Sequence, residues 1–497
     1  MNNPQTIARA LELFASARAL HGAGRLAEAA EAYRRATQLL PNHVDMLAGY
    51  ARLAQDVSDW PAAEKLYRRI GELRPDGGHE GHLAFVLLQQ GRNADAAHYF
   101  RAARARSPTD MPALRGLAMA LGRSQQWQEA LDCGLALERS VPVSQQTPDV
   151  VLNSLFYLGM GDELDARIDT VLPRYPGNHA IAAICGLHLL KRGDFRRGFR
   201  LLRDAGWGLP GGAADAAGAW RGETFDGTLL VIGEQGLGEE ILASSLFGTL
   251  PAARPQVRIL CEPRLAGLFR RSFPGLQVVP GKEISAAAAA DAEQPVRHIK
   301  SLDLAALSDN PLPARPAWLT PDLERAARLK QELRARWPGK RLVGLSWSSS
   351  RAIHGARDKS APLSALAPLL SMPDTVCINL QYGDTTADLA QLAGTGLPLP
   401  NTVAGIDNRE DIDGLLALMS ALDAIVTVSN TTAHLAGAAG LECHLLLPHA
   451  HPVFWYWGYR GEHTPWYPAM RIWRCDPAGS WSGLAGKVAR QLLQENA

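Results

Sequence analysis

The sequence predicts a two-part chain: an N-terminal solenoid of paired α-helices, then a parallel α/β region in two doubly wound lobes. Three observations carry this. Prolines recur at 41, 75, 108, 142 and 176, with spacings of 34, 33, 34 and 34 residues. After Leu202, short apolar β-branched runs alternate with helical patterns, as parallel sheets require. Several of those runs end in glycine-containing or small polar loops, and open α/β sheets bind ligands at the carboxyl ends of their strands.

The repeat is visible in register. Ala29, Ala63, Ala96 and Ala130 stand at matching positions, followed by the aromatics Tyr33, Tyr67 and Phe100 and then by Ala36, Ile70 and Ala103. Gly24, Gly91, Gly159 and Gly193 occupy the turn between paired helices. Small residues let two helices approach, the aromatic fills the gap, and proline ends the second helix. This pattern resembles the tetratricopeptide repeat (TPR) over about residues 10–205, as five repeats and part of a sixth. Gly134 and Ile168 replace the aromatic in the fourth and fifth repeats. The resemblance implies a concave groove for a protein or peptide partner. A scaffold or a homo-oligomer contact is the alternative use of the same array.

With 497 residues the chain is long enough for two or three sizeable cores. A net charge of +1 argues against general attraction to nucleic acid or to a membrane surface. Cys133, Cys185, Cys261, Cys377, Cys443 and Cys475 are scattered without a C-x-x-C pair, as expected for reduced thiols rather than disulfides or a zinc site. The N-terminal residues lack a basic stretch followed by an apolar core, and no run approaches about 18 apolar residues. The expectation is a cytoplasmic protein without a membrane span.

The expected layout is a solenoid over 1–205, a Gly- and Ala-rich linker over 206–220, a first Rossmann-like lobe over 221–337, and a second over 338–497. Strands are expected at Thr228–Ile232, Val257–Cys261, Val278–Val279, Val343–Trp347, Val376–Leu380, Ala424–Val428 and His444–Leu447. Helices are expected at Glu240–Thr249, Leu363–Leu370 and, between the lobes, Pro321–Trp337.

The stretch Ala424–Gly440 is the most informative. An apolar strand runs into Ser429, Asn430, Thr431 and Thr432, and then into a helix carrying His434. The free amides and positive dipole of such a helix start suit an anion, and Asn430 and the threonines can cap it or donate to phosphate. An ordinary capped helix has the same pattern. In the loop Gly233–Glu240, Gly236 and Gly238 permit close backbone approach, and Glu239 is either a general base or a first-turn acid facing the helix dipole. After Val343–Leu345 come Ser346 and, further on, Arg351, Arg357 and Lys359, suited to a pyrophosphate or merely solvated. Gln381 and Tyr382 suit a nucleobase or a plain turn. The aromatics from Phe454 to Trp457, with Trp466, Tyr467 and Trp473, suit a sugar or base face, or else a lid or inter-lobe packing.

Glu234-Gln235-Gly236-Leu237-Gly238, Val343-Gly344-Leu345-x-Trp347, His434-Leu435-Ala436-Gly437 and Trp466-Tyr467-Pro468 resemble bacterial TPR glycosyltransferase-like proteins. Their catalytic half is similar to the lipopolysaccharide heptosyltransferases, of GT-B fold. The resemblance implies a metal-independent transferase that moves a sugar from a nucleotide-diphosphate donor to an acceptor hydroxyl. The donor is a substrate, and no cofactor is expected. The first lobe would take the acceptor and the second the nucleotide sugar. Glu239 would be catalytic. Gln235, Gly236, Gly238, Ser346, Lys359, Gln381, Tyr382, Ser429, Asn430, Thr431, Thr432 and His434 would bind the nucleotide sugar. Three positions depart from the pattern: Ser429-Asn430 stand where Asp-Thr is usual, and Glu replaces Asp at 239. The alternative function is a non-catalytic TPR scaffold with a nucleotide-sugar-binding domain.

Overall fold

The computed structural model describes residues 3–76, 78–142, 147–206, 218–251, 255–284, 295–349, 359–449, 454–476 and 478–495. It has the expected class, an α-helical solenoid of TPR type followed by two parallel α/β lobes. In sequence order the helices are α1 (Pro4–Gly22), α2 (Leu26–Leu39), α3 (Val44–Asp56), α4 (Trp60–Leu73), α5 (Glu80–Gln89), α6 (Asn93–Arg106), α7 (Met111–Arg123), α8 (Trp127–Ser140), α9 (Pro148–Tyr157), α10 (Gly161–Arg174), α11 (His179–Arg192) and α12 (Phe195–Asp204). The chain packs as two compact units, Met1–Glu163 and Leu164–Ala497.

In the first unit the repeat positions do what their sizes require. Ala29, Ala63, Ala96 and Ala130 are fully buried, as are Tyr33, Tyr67 and Phe100 to within a few per cent. A ring buried this way contributes roughly 1.5–3 kcal/mol. Two of the rings need a glycine opposite: a Cβ on Gly49 would lie 2.8 Å from Tyr33, and one on Gly116 only 2.2 Å from Phe100. The fourth repeat inverts the arrangement. Its aromatic is replaced by Gly134, and the bulk comes from the following helix as Val151, 2.5 Å from where a Gly134 Cβ would stand. Gly24, Gly91 and Gly159 adopt positive φ in the turns. Ser58 and Gln125 hold the same left-handed conformation in the repeats that lack the glycine, so the turn geometry persists where its usual residue does not.

The period continues to about residue 205, yet the packing divides at Glu163. Leu190 of α11 and Phe199 and Leu202 of α12 belong to the core of the second unit. Phe195 and Phe199 meet Trp466 and Trp455 edge-on at 5.6 and 5.3 Å. The aromatic tail is thus largely packing: Tyr456, Trp457, Trp466 and Tyr467 are buried. Residues 207–217 of the expected linker lie outside the described residues.

The first sheet runs β3-β2-β1-β4, from β1 (Thr228–Ile232), β2 (Gln256–Cys261), β3 (Gln277–Pro280) and β4 (Val296–Lys300), all parallel. The second runs β6-β5-β7-β8-β9, from β5 (Arg341–Ser346), β6 (Thr375–Asn379), β7 (Ala424–Val428), β8 (Cys443–Leu447) and β9 (Met470–Arg474), also all parallel. Strands β4 and β9 were not expected. Their sequences, VRHIK and MRIWR, alternate charged and apolar residues, as befits edge strands. The helix expected at Glu240–Thr249 is an α-helix, α13 (Leu237–Ala243), that tightens into a 3₁₀ turn over Ser244–Thr249. The inter-lobe helix spans Leu323–Arg336 and is capped by Asp322. Strand order reverses between β1 and β4 and again between β5 and β7, and a ligand crevice is expected at each of these points.

Candidate active site

A cleft of about 520 Å³ opens where the carboxyl ends of the two sheets meet. The first lobe contributes Gln235 to Glu239, and the second contributes Lys359, Gln381, Tyr382, Ser429, Asn430, Thr431 and His434. Ser346 and Thr432 were also expected to bind ligand. They lie beneath the surface, 1% and 0% exposed, and do not line the cleft. Arg351 and Arg357 fall outside the described residues.

The helix Thr431–Ala438 starts directly from β7, with Asn430 as its N-cap. Asn430 was expected to donate to phosphate, but its side chain is already committed. Its Oδ1 accepts from Thr427 Oγ1 at 3.0 Å and from the Ala433 amide at 3.4 Å. Its Nδ2 donates to Ser346 Oγ at 2.8 Å and to the Ser348 carbonyl at 3.1 Å. Gln381, expected against a nucleobase, is committed too. Its Oε1 accepts from the amides of Trp347 and Ser348 at 2.9 and 2.8 Å, and its Nε2 donates to the carbonyls of Ser348 and Tyr382. Asn430, Ser346 and Gln381 therefore form a polar clasp across the β5/β7 switch point. The amides at a helix start have no acceptor further inside the helix, which suits this one to an anion.

A second clasp crosses the first sheet. Glu234 Oε1 accepts from Ser301 Oγ and the Leu302 amide, both at 2.9 Å, and ties the β1 loop to the β4 loop. Beside it the buried Glu240 pairs with Lys282 at 2.6 Å and accepts from the Glu262 amide at 2.8 Å. Burial pushes the Glu240 carboxyl up, and Lys282 pulls against that shift. Glu239, one residue earlier and half-buried, lines the cleft instead.

Gly238 and His434 meet where the lobes touch. A Cβ on Gly238 would lie 2.6 Å from the His434 ring, so helix-to-helix packing requires glycine here, and the residue also lines the cleft. His434 is 2% exposed, and its Nδ1 is hydrogen-bonded to Tyr467 Oη at 2.7 Å. Burial pushes its imidazole down to about 3. An unfolded histidine titrates near 6.5, so below that pH the unfolded chain takes up a proton that the folded one refuses. Stability therefore falls as pH drops, by about 2 kcal/mol at pH 5 from this residue alone. Chemical denaturation at pH 7 and pH 5 should show a smaller pH dependence in His434→Gln. An unchanged dependence would assign the effect to other groups.

Ser429 Oγ accepts from Trp457 Nε1 at 2.9 Å. The Lys359 ammonium, 3% exposed, sits 3.9 Å from the centroid of the Phe454 ring. Two cleft cations escaped the sequence reading, Arg264 and Arg409. Arg264 Nε donates to Glu262 at 2.8 Å, and its Nη1 reaches across the lobes to the Arg409 carbonyl at 2.9 Å. Arg264 lies three residues beyond β2, at a strand's carboxyl end, which was the available signal. Among the described residues, the grouping with metal-holding spacing is Glu442, His444 and Glu495, away from the cleft; Arg341 contacts both of its carboxylates.

Residues 20–82 match the tetratricopeptide repeat family model. Protein FlbA of Caulobacter vibrioides is 28% identical over 506 aligned positions, which cover 94% of this chain and 82% of FlbA. Among solved structures, the E. coli ADP-heptose lps heptosyltransferase II is similar over 54% of this chain and all of its own, at 15% identity and a TM-score of 0.40. YrrB, described as a TPR protein with an unusual peptide-binding site, is similar over 39% of this chain and 84% of its own, at 16% identity and a TM-score of 0.26. No described helix is long and apolar enough to cross a membrane.

Proposed function

We propose that the chain is a glycosyltransferase that uses a nucleotide-diphosphate sugar and acts on a protein or peptide hydroxyl. The reading rests on one convergence: Glu239 from the first lobe, with Lys359 and the start of helix Thr431–Ala438 from the second, all line one cleft. In this scheme the acceptor oxygen attacks the anomeric carbon and Glu239 takes its proton. The bond from the anomeric carbon to the donor phosphate breaks, and the departing diphosphate carries the electron pair. The first-turn amides and Lys359 stabilise that growing charge, the role a metal plays in other transferases.

The acceptor would dock on the first unit. That unit has a cavity of about 560 Å³, lined by Phe85, Met119, Arg106 and Arg115 among others, and Phe85 is 42% exposed. The six free cysteines fit a reducing compartment such as the cytoplasm.

The second reading is a nucleotide-sugar-binding scaffold without turnover. It is favoured by the lack of a carboxylate at 429 and by the committed side chains of Asn430 and Gln381. Incubation of the full chain with UDP-, GDP- and ADP-sugars separates the two. A transferase releases nucleoside diphosphate, faster with acceptor present. Tight binding of a donor without release selects the scaffold.

A further inference from the structure

We infer that a cavity at the amino ends of β2 and β3, at the opposite end of the first sheet from the cleft, is a second ligand site that takes an aliphatic monocarboxylate. The cavity measures about 580 Å³. Small-molecule sites usually span about 300–1,000 Å³. Gln256 and Val257 at the start of β2 and Gln277 at the start of β3 border it. Phe247, Leu250, Phe273 and Trp318 give it apolar walls. Four prolines also line it, and proline offers no backbone N–H. Such walls suit a chain of CH₂ groups, which gains from leaving water and asks for no hydrogen bond.

The walls are held in place. Trp318 Nε1 donates to Ser244 Oγ at 3.0 Å, and the Trp318 amide donates to the Ala438 carbonyl at 2.9 Å. Its ring stacks on Tyr467 with centroids 5.5 Å apart. Phe273 meets Phe247 and Phe269 edge-on at 5.2 and 5.9 Å. Closing the cavity by moving these rings would break the bonds and contacts that pin them. A site preformed in this way loses little freedom when a ligand enters.

The charge at the rim has one sign. Among the described lining residues the ionisable side chain is Arg315. It is exposed, and it has no hydrogen bond or ion pair with the described residues. Ser272 Oγ and Gln277 Oε1, also on the lining, already accept from the Thr320 amide and from Arg258 Nε, both at 2.9 Å. The Arg315 guanidinium offers a planar fork that matches a carboxylate. An acid bound here puts its tail between the rings and its head at that fork.

Calorimetric titration of the full chain with butanoate, hexanoate and octanoate tests the assignment, with octanol and octylamine as neutral and cationic probes. Affinity for the acids should rise about 3- to 4-fold for each CH₂ that becomes buried. Octanoate should bind tighter than octanol or octylamine by about 5-fold or more, and Arg315→Ala should remove its advantage over octanol. A Cβ on Gly248, a lining residue, meets nothing within 4 Å. Gly248→Leu therefore adds a side chain in open space at the cavity, and should weaken octanoate and octanol alike by about 10-fold or more. Lys359→Met, in the cleft, should bind octanoate as the parent chain does. Absent octanoate binding in the parent chain, or affinity independent of chain length, would overturn the apolar site. Octylamine binding as tight as octanoate would overturn the choice of a carboxylate. Parental octanoate affinity in both Gly248→Leu and Arg315→Ala, or its loss in Lys359→Met alone, would place the ligand elsewhere and overturn the assignment. Gly248 and Arg315 are both exposed, so neither substitution threatens the fold.

Discussion

Replacing Glu239 with glutamine should lower the proposed sugar transfer by about 10²–10⁴-fold while nucleotide affinity stays close to that of the parent chain. Glutamine matches glutamate in shape and hydrogen-bonding reach but cannot take a proton. The substitution therefore separates two roles that the sequence left open. As a first-turn acid, Glu239 contributes only about 0.3–1 kcal/mol to the helix, a small change in melting with turnover retained. As a base, it controls the rate of the chemical step, so kcat falls and KM barely moves. Transfer at parental rate in Glu239→Gln sinks the base assignment. Substrate affinity that collapses together with rate would make the residue a binding group instead.

Asn430→Ala should cost about 2–4 kcal/mol of stability in the second unit and reduce nucleotide binding. Two effects add: loss of the N-cap, typically about 1 kcal/mol, and loss of partners for buried groups, about 1–3 kcal/mol. Asn430→Asp sharpens the test. Aspartate keeps the cap and the contact with Thr427, but it places an oxygen where Nδ2 now donates to Ser346 and the Ser348 carbonyl. Chemical denaturation should rank asparagine first, aspartate second and alanine third. Equal stability of the asparagine and aspartate chains would show that the bridge between the β5 and β7 loops contributes nothing, leaving only the cap.

The repeats were legible because each position recurs with a consistent size, and size alone decides whether two helices can approach. The central strands were legible because both faces are buried and the sequence is continuously apolar. Edge strands β4 and β9 were not, since arginines, a histidine and a lysine interrupt the pattern. At the site, the sequence located the loops but not the internal hydrogen bonds of several side chains. Asn430 and Ser346 stand 84 residues apart, and Gln381 and Trp347 34 apart. Nothing local announces that these groups satisfy one another instead of facing a ligand. The burial of His434 was hidden for the same reason: its environment is made by Gly238, Tyr456, Trp457 and Tyr467, from three separate stretches. Arg264 and Arg409 escaped because single arginines in loops carry no pattern.

The seam between the lobes has a kinetic consequence. Gly238 rests on His434, and the amides of Trp318 and Leu319 both donate to the Ala438 carbonyl while Trp318 Nε1 reaches Ser244. Backbone bonds and a buried ring thus fasten the floor of the cleft on both sides. Swinging the lobes apart there would break these contacts together, so the pair behaves as a single vice body rather than as two jaws. Any ligand of the cleft would then enter and leave without a hinge motion at that seam.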